Sequence, residues 1–122
     1  MKILTIKEAG KRYNIPAKIL KAYKSWGFCG ESEHGGDIQC GDADIERLSL
    51  IMTLYDIGFS EREAEIYVRL TLEGAGSDVS RLKMLEKKRA ESLEDIHMRE
   101  LRLARLDHLR RELQKRLENG SI

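Results

Sequence analysis

The chain has 122 residues, enough for one domain or a small domain plus an extended element. At 41% hydrophobic and 35% charged it is unusually charged for a compact globule, which leaves little room for a catalytic pocket, so an enzyme is not expected. No apolar run approaches the roughly 18 residues needed to span a bilayer, the N-terminus lacks a signal-peptide core, and two cysteines make no disulfide framework, so a reducing cytoplasm is the expected location.

The formal net charge of +1 conceals a segregation. Residues 1–27 carry seven Lys/Arg and one acid, residues 28–73 three bases against eleven acids, and residues 74–122 twelve bases against nine acids. A basic head of this kind is the footprint of an anionic partner.

Thr5-Ile6-Lys7-Glu8 has the capping-box spacing that opens a helix, and Ile6, Ala9 and Tyr13 share one of its faces. Asn14-Ile15-Pro16 ends that helix, and Pro16 suits the first turn of the next. From Ala17 to Trp26, Ile19, Leu20 and Tyr23 face inward while Lys18, Lys21 and Lys24 stay outside. Two short helices joined by a tight turn, the second bearing lysines, read as a helix-turn-helix.

Gly27, Gly30, Gly35, Gly36 and Gly41 then forbid a helix and fit a hairpin, or wing, whose strand-like piece is Asp37-Ile38-Gln39-Cys40. A third helix begins at Asp42 with Ile45, Leu48, Ile51, Met52 and Tyr55 as its apolar stripe, and Gly58 stops it. Ser60-Glu61-Arg62-Glu63 is a second capping box, ahead of Ala64, Tyr67, Val68 and Leu70. Residues 74–77 are expected to form a flexible linker between a head, 1–73, and a long helix within 78–122.

Residues 78–117 contain no Gly or Pro, and as one helix would measure about 60 Å. With Leu82 at heptad position a, the a and d places read Leu82, Leu85, Arg89, Ser92, Ile96, Arg99, Leu103, Leu106, Arg110, Leu113 and Leu117. Seven of these eleven are apolar, which favours a coiled coil; Leu93, Leu101 and Leu109 widen the stripe. A second copy is the natural cover, and a helix folded back on its own head is the alternative.

In order and in local motifs the chain resembles the MerR family of bacterial transcription regulators. Leu4-Thr5-Ile6-Lys7-Glu8-Ala9 resembles the family's opening segment, and Ile19 to Phe28 its recognition helix, usually written T-L-R-Y-Y-D-x-x-G-L. Asp44-Ile45-Glu46-Arg47-Leu48 and Leu54-Tyr55-Asp56-Ile57-Gly58-Phe59-Ser60 resemble its third and fourth helices. The resemblance implies a mainly α fold, with a winged helix-turn-helix head of four short helices followed by a long dimerisation helix. It also implies an antiparallel coiled-coil homodimer on a palindromic operator in double-stranded DNA, with RNA polymerase as a further partner. The wing departs from the family's G-Y-R-x-Y: Gly36-Asp37-Ile38-Gln39-Cys40 keeps neither the aromatic nor the basic residue, and Glu31 and Glu33 add negative charge.

The expected DNA contacts are Lys7, Lys11, Arg12, Lys18, Lys21, Tyr23 and Lys24, and the expected dimer contacts are Leu82, Leu85, Ile96, Leu103, Leu106, Leu113 and Leu117. Arg47, among acidic neighbours, reads as half of an intramolecular pair. Cys29 and Cys40 flank the wing and read as buried thiols, with a redox switch as the alternative. Only His34 lies near them, too few ligands for zinc, and no metal or other cofactor is expected. Trp26, Tyr55, Phe59 and Tyr67 read as core. The alternative to a DNA-binding regulator is a protein-interaction module or antagonist with weakened DNA contact, acting through its coiled coil.

Overall fold

The computed structural model describes residues 4–28 and 39–120. Its elements are β1 (Leu4–Thr5), α1 (Ile6–Arg12), α2 (Ala17–Ser25), β2 (Gln39–Cys40), α3 (Asp42–Asp56), α4 (Glu61–Thr71), a 3-10 turn (Gly74–Ser77) and α5 (Asp78–Gly120). Two compact units result, Met1–Met84 and Leu85–Ile122.

Within the first unit, chain punctuation follows local chemistry. Thr5 caps α1 by accepting from the Glu8 amide at 3.1 Å, and its hydroxyl donates to the Glu8 carboxylate at 3.0 Å. This is half of the expected capping box, since the Glu8 carboxylate takes the Thr5 hydroxyl rather than the Thr5 amide. Asn14, with φ of 55°, closes α1: the Ile15 amide reaches back to the Gly10 carbonyl at 2.9 Å, the six-residue closure of a Schellman motif. Gly58, at φ of 98°, does the same for α3, with Phe59 bonded to the Leu54 carbonyl at 2.9 Å. Pro16 sits at the N-cap of α2, one place before the expected first turn, where its carbonyl accepts from the Ile19 and Leu20 amides. Ser60 and Glu63 complete a reciprocal box at the start of α4, at 3.2 and 2.8 Å.

The core gathers one face of each helix: Ile6 and Ala9 from α1, Ile19, Ala22 and Tyr23 from α2, Leu48, Ile51 and Leu54 from α3, and Ala64, Tyr67 and Val68 from α4. The α3 stripe is rotated from the expected one. Leu54 is buried, whereas Ile45, Met52 and Tyr55 are half-exposed. Phe59 meets Tyr67 edge-to-face at 5.8 Å.

Two sequence expectations change. The strand Gln39–Cys40 pairs antiparallel with Leu4–Thr5, Leu4 opposite Cys40, so its partner is the segment that opens the head. The hairpin expected at the wing, with Glu31, Glu33, His34 and Asp37, lies outside the described residues, as does Cys29; Cys40 is buried. Residues 74–77, expected to be a flexible joint, are wound as a 3-10 turn. The buried Ser77 hydroxyl donates to the Gly74 carbonyl at 2.9 Å and accepts from Arg81 Nε at 3.0 Å, while the Arg81 guanidinium lies 5.9 Å from the Tyr67 ring centre.

The second unit belongs to a single helix. Among its described residues Ile96, Leu103, Leu106, Leu113 and Leu117 are each at least half exposed. No described helix is long and apolar enough to cross a membrane.

Candidate nucleic-acid interface

Helix α2 has nine residues, too few to hold itself together in water, so its position is set by what it packs against. Its buried face, Ile19, Ala22, Tyr23 and Trp26, faces the core. Leu20 lies against α1 so closely that a Cβ on Gly10 would stand 2.6 Å from Leu20 Cδ1. That approach explains a glycine in mid-helix, where its backbone entropy otherwise costs about 1 kcal/mol.

A polar cluster ties α2 to α3. The Tyr23 hydroxyl donates to Asp44 Oδ1 and accepts from Arg47 Nη1 at 3.3 Å, and Arg47 pairs with Asp44 at 3.4 Å. The other Asp44 oxygen accepts from the Gly41 amide at 3.0 Å, fastening the chain where it leaves β2. Burial, reinforced by the hydrogen bond to Asp44, pushes the Tyr23 hydroxyl well above the ordinary tyrosine value. The intramolecular pair read for Arg47 is present.

Tyr23 itself requires a correction. Expected as a DNA contact, it is fully buried, with its hydroxyl turned to α3. It shares a face with Ile19 and Trp26, and that face is the core.

The C-terminal end of α2 is held from α4. Arg69 Nη2 donates to the Trp26 carbonyl at 2.8 Å, where the helix end is electron-rich, and Glu65 steadies Arg69 at 2.8 Å. Phe28, the last described residue before Gln39, stacks on Tyr23 at 5.6 Å and meets Trp26 edge-on at 6.2 Å. The Arg69 and Arg47 guanidinium carbons lie 5.0 and 6.0 Å from its ring centre. Sequence reasoning missed this clamp. Only the Glu65–Arg69 spacing of four was readable, because Phe28 lies some forty positions away.

What remains exposed is the basic set. Lys7, Lys11 and Arg12 on α1 and Lys18, Lys21 and Lys24 on α2 are all exposed, and none forms an ion pair or hydrogen bond among the described residues. Arg12 lies 6.0 Å from the Tyr13 ring centre, and the Lys18 ammonium 5.4 Å from that of Tyr55. At 100° per residue, Lys18, Lys21 and Lys24 span about 120° of the helix surface, a single face. Such a face presents point charges to phosphate oxygens without first breaking internal pairs.

The profile of the MerR HTH family of regulatory proteins matches residues 4–70, more than half of the chain. The chain belongs to the MerR family. Solved MerR structures share its fold. One is a MerR family transcriptional regulator from Bacillus thuringiensis, 20% identical, with a TM-score of 0.62 over 88% of this chain and 96% of that one. Another is HiNmlR, a MerR family regulator lacking the sensor domain, solved bound to promoter DNA; it is 24% identical, with a TM-score of 0.64 over 98% of this chain and 96% of that one. A third, a Listeria monocytogenes chain assigned to the same family, is 23% identical, with a TM-score of 0.69 over 97% of this chain and 91% of its own. No curated protein matches the sequence as a relative. The MerR head therefore spans β1 to α4, and the shared fold extends into α5.

Proposed function

We propose that this MerR chain is a homodimeric transcription regulator that binds a palindromic operator through the exposed face of α2, with α1 on the flanking phosphates. The observation that carries the reading is the set of six exposed bases on α1 and α2 that form no ion pair among the described residues, on two helices whose opposite faces pack into the core. Lys18, Lys21 and Lys24 meet the groove, and Lys7, Lys11 and Arg12 the backbone. The solved complex of HiNmlR with promoter DNA supports the same use of the shared fold.

Dimerisation through α5 supplies the second head. Leu82, Ile96, Leu103, Leu106, Leu113 and Leu117 lie exposed and Leu85 half-covered, an apolar series that a second α5 would bury at roughly 1.5–3 kcal/mol per leucine. Pairing also raises affinity by tethering, since the second head binds at high effective concentration once the first has landed. RNA polymerase is the further partner that the regulator role requires.

Selection of bound sequences from random duplexes, repeated at two salt concentrations, tests the reading. A palindrome should emerge, and log affinity should fall with log salt at about 0.9 per neutralised phosphate. Lys18→Ala with Lys21→Ala should abolish specific binding while the fold persists. Unchanged operator affinity in that variant refutes the assignment of α2. Recovery of no palindrome would instead favour a protein-binding module working through α5, the reading that the acidic wing sequence supports.

A further inference from the structure

The lysines of α2 do not face open solvent on every side. Ala17, Lys18, Lys21, Ala22 and Ser25 form one wall of an open groove, and Glu61, the first residue of α4, contributes to the other. The acids of early α4 have different fates. Glu63 closes the capping box with Ser60, and Glu65 holds Arg69. Glu61 is exposed and forms no hydrogen bond or ion pair among the described residues. Its charge is felt at Tyr55, whose hydroxyl lies buried without a hydrogen-bond partner among the described residues and is raised above the ordinary tyrosine value, first by burial and then by Glu61. Lys18 lies over that same ring. A lone carboxylate therefore stands beside the two lysines on which DNA contact through α2 rests.

We propose that Glu61 is a specificity-determining residue, one that penalises binding to arbitrary duplexes more than binding to the operator; this rests on the DNA-binding reading above. In a complex held only by phosphates, the carboxylate comes within about a Debye length of like charge and gains no base contact in return. In the register set by the operator, α2 lies in the major groove, where cytosine N4 and adenine N6 amino groups can donate to a carboxylate at its flank. The penalty then falls on the wrong complexes. The simpler role for an acid at this position is to complement the dipole of α4, which would affect folding and leave the ratio of the two affinities unchanged.

The test compares full-length wild type, Glu61→Gln, Glu61→Lys and Glu61→Asp on the selected operator and on a scrambled duplex of equal length. Glu61→Gln should tighten scrambled-duplex binding by about fivefold, the effect of removing a charge near two phosphates, while operator affinity changes by less than about twofold. Glu61→Lys should exceed this and steepen the salt dependence on the scrambled duplex by about one further contact per protomer. Glu61→Asp should retain the wild-type ratio. Unfolding followed by Trp26 fluorescence should show the Gln variant folded at the assay temperature, since Ser60 and Glu63 still cap α4. Equal tightening on both duplexes, or no change on either, overturns the role of Glu61 and leaves the DNA-binding reading standing. A wild type that binds no duplex even at low salt overturns both.

Discussion

Replacing Tyr23 by Phe removes one oxygen from the centre of the head and tests whether this residue serves the fold or the DNA. The ring is fully buried, so Phe fills the same volume and packing survives. Lost are the hydrogen bond donated to the Asp44 carboxylate and the one accepted from Arg47. A hydrogen bond to a charged group is worth about 1.5–3 kcal/mol, and Asp44 retains the Gly41 amide and Arg47 as partners, so a net loss of about 2 kcal/mol is expected. With a urea slope of about 1.5 kcal/mol per molar, the midpoint should fall by roughly 1–2 M. Trp26, the sole tryptophan and itself buried beside Phe28, reports on the head alone. The variant should also differ in alkali. Because the folded Tyr23 holds its proton above the ordinary tyrosine value, its contribution is fully present below about pH 10 and is lost as pH rises beyond it, by up to 1.36 kcal/mol per unit. Tyr23→Phe should flatten that alkaline decline. Measured well below the midpoint, operator affinity should stay within about threefold of wild type. A tenfold loss of affinity with unchanged stability would refute the reasoning and return Tyr23 to the DNA contacts.

Three further outcomes are expected. Leu103→Asp with Leu106→Asp, at positions each 58% exposed in the single chain, should convert a dimer to monomers in sedimentation; a surviving dimer would mean that α5 pairs through another face. Gly10→Val should cost the head about 1–3 kcal/mol in urea because the Leu20 side chain must leave its rotamer or α1 must shift to admit the new methyls, and a neutral result would show that the contact yields easily. Arg69→Ala should lower the head's unfolding midpoint and weaken operator binding, since the α2 terminus and Phe28 lose their shared anchor; binding and midpoint both unchanged would dismiss the clamp.

Much of this fold is legible in sequence because its signals are local. Ser60 and Glu63 are three residues apart, Gly58 stops α3 one turn from the carbonyls it caps, and the run without Gly or Pro from Asp78 reads as the helix that the structure shows to Gly120. What escaped reading depends on distant partners. Asp37 to Cys40 read as strand-like, but a two-residue strand has no periodicity, so nothing in either segment named Leu4–Thr5 as the partner of Gln39–Cys40. The composition of residues 74–77 reads as flexible, yet the Ser77 hydroxyl and Arg81 wind them into a turn. Tyr23 carried two conflicting signals: the apolar period of α2 placed it inside, and the resemblance to the recognition-helix motif placed it on DNA. Burial decided between them. Glu61 looked like part of a cap, and only the groove it shares with Lys18 and Lys21 gives it a further role.

The head separates what holds α2 from what α2 can touch. Its support comes from the inner face, through Ile19, Ala22 and Tyr23, and from the C-terminal end, through Arg69 and Phe28. None of these uses a lysine side chain. Lys18, Lys21 and Lys24 can therefore change without unfolding the head, which allows recognition to vary on a fixed frame. The same cluster also fastens both sides of residues 29–38. Phe28 stacks on Tyr23 at one side; at the other, Gly41, directly after β2, donates to Asp44, which bonds Tyr23. One cluster therefore anchors α2, Phe28 and the exit of β2 together. Loosening Asp44 should loosen all three at once, lowering the unfolding midpoint of the head and the operator affinity of α2 in the same variant.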